Sequence, residues 1–252
     1  MSTFVLIHGS WGGGWCWDKL APLLRAKGHT AVAPDLPGHG EDRTPVAEIT
    51  LDSYVNRVSA VLDAQREPVV LVGHSHGGVV ITQTAEKRPD RVAALVYVCA
   101  FLPRDGESVL ALAEQDPDPE RNILRFLELH RDEGWAVVRK EGIREALVHD
   151  CTAADVAWIE QKIVGVREPL SSPATPVRIT AERFGKIPRF YVEALDDRAI
   201  SAALQKKMYT ANPCREVRSM DVAHFPQITK PAELADHLVA IAASVSGTKA
   251  GM

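Results

Sequence analysis

The chain has 252 residues, of which 46% are apolar and 25% charged, and a net charge of −4. That balance is ordinary for a globular protein and gives no basis for a nucleic-acid or anionic-membrane partner. No apolar run is long enough to cross a bilayer and no signal-peptide pattern precedes Phe4, while Cys16, Cys99, Cys151 and Cys214 lack C-x-x-C or metal-ligand spacing, so free thiols in a cytoplasmic protein are expected.

Thr3 to Ile7 reads as a buried strand, ending in His8-Gly9-Ser10 and the glycine-rich turn Trp11-Gly12-Gly13-Gly14. Such a turn frees backbone N–H groups at a strand's C-terminal end, where open α/β sheets bind ligands. It contains neither G-K-[ST] nor an in-register G-x-G-x-x-G, which argues against a phosphate loop. Trp15 to Lys27 has a helical pattern stopped by Gly28, with Trp15, Trp17, Leu20 and Leu24 as core. Thr30 to Ala33 is a second strand, Pro34 to Gly40 a loop that leaves His39 at the surface, and Thr50 to Gln65 a helix capped by Thr50 or Asp52.

The most informative stretch is Val69 to Lys87. Val69-Val70-Leu71-Val72 is a strand buried on both faces; Gly73-His74-Ser75-His76-Gly77 follows, and then a helix that stops before Pro89. Small residues around Ser75 let strand and helix approach closely and hold the serine in a sharp, exposed turn, with the helix N-terminus available to a developing negative charge. The side chains of His74 and His76 are expected to point away from the serine hydroxyl, with His76 still near the pocket, and His8 to brace its turn. Arg91 to Cys99 is a fourth strand.

The alternation of strand and helix lapses from Arg104 to Gly185, where short helical patterns are broken by Pro117, Pro119, Pro169, Pro173 and Pro176. This predicts a helical cap, 104–185, inserted between core segments 1–103 and 186–252. Trp135, Trp158, Phe126 and Leu127 are candidate pocket walls within it, as are Trp11, Phe101 and Phe225 outside it. Regular structure resumes with a strand at Arg189 to Ala194, then Asp196-Asp197, a helix over Ile200 to Tyr209, a strand at Arg215 to Arg218, a loop containing His224, and a last helix from Pro231 to Ala243. Ser244 to Met252 is expected to fray.

A serine hydroxyl needs a base to take its proton and a third group to fix the tautomer of that base. Ser75 follows the third strand, Asp196 or Asp197 the fifth and His224 the sixth, and this spacing suits a Ser, acid, His constellation.

Leu6-Ile7-His8-Gly9-Ser10 with Gly14-Trp15-Cys16-Trp17, Gly73 to Gly78, and Glu182-Arg183-Phe184-Gly185 with Tyr191-Val192 carry a family resemblance. They resemble the α/β-hydrolase family of plant methylesterases and hydroxynitrile lyases and its bacterial esterase relatives, pyrethroid hydrolases among them. The resemblance covers most of the chain and is weakest in the cap. It implies an α/β fold with about six mostly parallel strands flanked by helices, and a serine hydrolase that needs no metal or cofactor. It favours Asp197, which precedes Arg198-Ala199-Ile200, as the acid, and the backbone N–H groups of Ser10 and His76 as oxyanion donors. The lyases carry a threonine and a lysine where this chain has Gly9 and Phe225, so hydrolysis of a small to medium apolar ester is expected rather than cyanohydrin cleavage. A carbon–carbon lyase, a cofactor-free oxygenase and a small-molecule receptor on the same scaffold remain alternatives, and either a monomer or a homodimer is consistent with the resemblance.

Overall fold

The computed structural model describes residues 1–119 and 122–248. Six strands form one sheet: β1 (Thr3–Ile7), β2 (Thr30–Val32), β3 (Val69–His74), β4 (Val92–Val98) and, after the cap, β8 (Arg189–Ala194) and β9 (Glu216–Met220). Three short strands lie in the segment 104–185, for which the label cap is kept: β5 (Leu127–His130), β6 (Trp135–Val138) and β7 (Glu168–Pro169). The large sheet has the order β2-β1-β3-β4-β8-β9, and every neighbouring pair is parallel. Parallel strands need crossovers, and helices supply them on both faces. These are α1 (Ala21–Ala26), α2 (Leu51–Asp63), α3 (Gly77–Lys87), α5 (Ala202–Ala211) and α6 (Pro231–Thr248), while α4 (Ala153–Ile163) lies in the cap. Two apolar layers result. Phe4, Leu6, Val72 and Val96 face one; Val5, Ile7, Leu71 and Leu95 face the other.

Local chemistry sets the ends of several elements. Thr50 caps α2 reciprocally with Ser53: Ser53 N–H donates to the Thr50 hydroxyl at 3.1 Å, and Thr50 N–H to the Ser53 hydroxyl at 3.0 Å. The helix expected over Trp15–Lys27 is divided into a 3₁₀ turn at Gly14–Trp17 and α1. Pro22 is the reason: lacking an N–H, it fits only a helix's first turn. Ser201 caps α5 through Leu204 N–H at 3.1 Å, so this helix starts after Ile200. The last helix runs to Thr248, so the fraying expected from Ser244 does not occur through that point; residues 249–252 lie outside the described residues.

Between 104 and 185 the expectation of purely helical structure is corrected. Strands β5, β6 and β7 form an antiparallel sheet. The β5–β6 hairpin turns through Gly134, at φ 78°. Strands of two to four residues are too short to establish a period of two in the sequence.

Candidate active site

The turn between β3 and α3 holds Ser75 at φ 55°, in the left-handed region that side chains disfavour. Close packing maintains it. A Cβ on Gly77 would lie 2.7 Å from the His8 carbonyl oxygen, and one on Gly78 would lie 2.2 Å from that of Phe101. The Ser75 carbonyl accepts from Gly78 N–H at 3.0 Å and Phe101 N–H at 3.1 Å.

The loop after β9 brings in His224, which is 2% exposed. Its Nδ1–H donates to Asp197 Oδ2 at 2.7 Å, leaving Nε2 as the basic nitrogen. Asp197, in the loop after β8, also accepts from Ala199 N–H (2.7 Å), Ile200 N–H (3.0 Å) and Gln205 Nε2 (3.3 Å). Asp196 points outward and pairs with His149 at 2.9 Å, so the acid beside His224 is Asp197. Two contacts steady the histidine's backbone. Asp150 accepts from Ala223 N–H at 2.8 Å, and His74 Nε2–H donates to the His224 carbonyl at 2.7 Å. Burial and then His224 lower the His74 pKa well below the ordinary histidine value, which keeps that ring neutral.

Ser75 and His224 line one cavity of about 520 Å³, as do Gly9, Ser10, His76, Trp11, Phe101 and Phe225. Its far wall comes from the cap, through Ile123, Leu124, Leu127 and Leu170 among others. The backbone N–H groups of Ser10 and His76 donate to no protein acceptor among the described residues. Trp135 and Trp158, two of the expected cap walls, lie elsewhere. Trp135 stacks on His130 with centroids 3.6 Å apart and Arg167 over its ring, while the adjacent Ala136 faces the cavity. Trp158 packs edge-to-face on Trp15 at 5.2 Å.

His39 is not a surface residue. It is 2% exposed and donates from Nε2 to Glu168 Oε2 at 3.0 Å. Glu168, on β7, is buried and also accepts from Trp11 N–H at 3.1 Å and the Tyr54 hydroxyl at 3.4 Å; His76 Nδ1 is 3.4 Å from its Oε1. Burial favours the neutral acid, but His39 and His76 outweigh it and hold the Glu168 carboxyl below the usual carboxylate range. Burial likewise opposes a charge on His39, and Glu168 outweighs it, raising the imidazole's pKa. Sequence reasoning missed Glu168. Its one local mark is a carboxylate directly before Pro169, which says nothing of partners more than a hundred residues away.

One group of potential metal ligands occurs among the described residues: His74, Cys99 and His224, with one donor atom each inside 4.8 Å. It suits an ion poorly. Burial, followed by Asp197, pushes the Cys99 thiol well above its ordinary pKa, and the Asp197 carboxylate occupies His224 Nδ1.

A parallel sheet with a serine at a strand-to-helix elbow and a buried His–Asp pair beside it defines a class, and a family model describing the alpha/beta hydrolase family matches residues 4–237. The chain belongs to the α/β-hydrolase family. Among its relatives is a pyrethroid hydrolase of Sphingobium wenxiniae, 33% identical over 94% of this chain and 86% of the relative. Methylesterase 8 of Arabidopsis thaliana is 30% identical, with 95% and 89% covered. A solved pyrethroid hydrolase structure superposes with a TM-score of 0.85 at 27% identity, over 97% of this chain and 99% of that one. Among the described residues, no helix is long and apolar enough to cross a membrane.

Proposed function

We propose that the protein hydrolyses carboxylic esters through an acyl-enzyme on Ser75. The observation that carries this reading is the 2.7 Å His224–Asp197 contact on the wall of the same apolar cavity that Ser75 enters from its elbow. His224 Nε2 takes the Ser75 proton as Oγ attacks the ester carbonyl, and Asp197 fixes the tautomer and stabilises the imidazolium. The N–H groups of Ser10 and His76 receive the oxyanion. His224 returns the proton to the departing alcohol, then activates the water that releases the acid.

The relatives that act on esters support the hydrolytic outcome, and the lining supports a small to medium apolar substrate. Four unpaired cysteines fit a reducing, cytoplasmic setting. Hydrolysis of p-nitrophenyl esters from acetate to octanoate, by wild type beside Ser75→Ala, is the test. Turnover by wild type alone is expected, with the best chain length measuring the pocket; equal turnover by both, or by neither, overturns the reading.

A further inference from the structure

We propose that Glu168 is a positioning residue for the oxyanion hole: a single carboxylate, delivered by the cap, fixes both loops that carry the donor N–H groups. The inference rests on the reading of Ser10 and His76 as those donors.

The first loop is a turn closed by Gly12 N–H donating to the Gly9 carbonyl at 3.3 Å, and it is tied further from outside. Trp11, which follows Ser10, sits at φ 56°, in the left-handed region that a residue with a side chain disfavours. Trp11 itself makes two hydrogen bonds out of the loop, and both partners come from the cap. Trp11 N–H donates to Glu168 Oε2 at 3.1 Å, and the indole N–H donates to the Ala136 carbonyl at 3.3 Å. The first of these anchors the peptide between Ser10 and Trp11, which joins the peptide carrying the Ser10 N–H at the Ser10 Cα.

The second loop is reached through its side chain. His76 Nδ1 lies 3.4 Å from Glu168 Oε1 and 3.2 Å from the Ser10 hydroxyl, while the Ser172 hydroxyl sits 3.1 Å from Nε2. The His76 ring thus spans the gap between the two donor loops, with Glu168 behind both.

A bare carboxylate here would oppose the charge it helps to accommodate. His39 removes that difficulty. Its Nδ1 lies 3.0 Å from the Pro37 carbonyl and its Nε2 3.0 Å from Glu168 Oε2. Both neighbours are acceptors, so both ring nitrogens carry protons and the ring is an imidazolium. Glu168 therefore organises the donors as half of a neutral, buried ion pair, which supplies geometry without a net negative field.

The test compares a trifluoromethyl ketone, which adds Ser75 and develops an oxyanion, with the matched methyl ketone, which stays a ground-state ligand. In Glu168→Ala, kcat on a p-nitrophenyl ester is expected to fall roughly 10- to 100-fold with KM within about threefold, the trifluoromethyl ketone weakening in step and the methyl ketone holding within about twofold. Deleting the carboxylate strands His39 as a buried cation, so Glu168→Gln, which keeps an oxygen for Trp11 N–H, is measured beside it and should lose less than about tenfold. His39→Gln, which exposes the oxyanion to an uncompensated carboxylate, should be slower than the His39→Gln/Glu168→Gln double variant. Parallel weakening of both ketones, or no change in either, in whichever Glu168 variants fold overturns the inference. A wild type that neither hydrolyses esters nor prefers the trifluoromethyl ketone instead overturns the esterase reading.

Discussion

Two turns meet at the candidate site with nearly the same φ, 55° at Ser75 and 56° at Trp11, yet they differ in how far away their supports lie. The Ser75 elbow is fixed by backbone alone, through Gly78 N–H, Phe101 N–H and glycines too close to neighbouring carbonyls to carry a Cβ. The Trp11 turn has one backbone bond of its own, Gly12 N–H to the Gly9 carbonyl at 3.3 Å, and is held in addition from outside, by partners 125 and 157 positions along the chain. The same local strain can therefore be written into a short motif or into the tertiary fold, and only the first kind announces itself in sequence.

Asp197→Asn sets the scale for this contrast, because it disturbs neither turn. An amide cannot enforce the tautomer with Nδ1–H, and kcat should fall roughly 10³- to 10⁴-fold with thermal stability little changed. A loss under tenfold would remove Asp197 from its role. On the elbow side, Gly78→Ala drives a Cβ to 2.2 Å from a backbone oxygen. The cost should be about 2–3 kcal/mol, or roughly 5–10 °C in Tm by calorimetry. An unchanged Tm would show that the elbow has slack.

The Trp11 side should be acid-sensitive, as the buried, neutral His74 makes the elbow side too. His8 lies beneath that turn, its Nε2 accepting from Leu36 N–H at 3.1 Å and its Nδ1–H donating to the Gly9 carbonyl at 2.8 Å. Burial, then the charge on His39, lowers its pKa from 6.5 to about 3. Between those values the unfolded chain binds a proton that the folded chain refuses, so this stability is intact above pH 6.5 and drains away as pH falls toward 3. At pH 4.5 the loss from His8 is about 2–3 kcal/mol, read as a lower urea midpoint than at pH 7.5. Glu168, already ionised at both pH values, adds nothing to that difference. A flat midpoint would mean that His8 is solvated. The smallest effect is expected from Trp158→Ala, which touches neither turn: kcat/KM within about twofold and a loss in Tm of a few degrees from the broken Trp15 contact.

The same division explains what could be read in advance. The ranges of β1 and β8 were legible residue for residue, because their apolar runs are bounded by turns. So was the elbow, where Gly73, Ser75 and Gly77 sit between a strand and a helix. Asp197 could be separated from Asp196 only by resemblance, since adjacent carboxylates differ in direction rather than in composition. The cap was read least well. Its strands are brief, and Trp135 turned out to face His130 because strand parity, invisible without a partner, decides which side chain enters a cavity. Glu168 and His39 were illegible for the same reason: each is an ordinary polar residue until the other arrives.

The hydrogen bond from Trp11 to Glu168 also orders events in time. Ser75, His224 and Asp197 belong to the sheet and its loops, but the acceptor of the Trp11 N–H lies on a strand made far later in synthesis. A nascent chain, or one nicked by a protease between 104 and 185, would present Ser75 before that hydrogen bond could form. On the proposed role of Glu168, reactivity would be coupled to completion of the fold, and half-made copies would be inert toward esters.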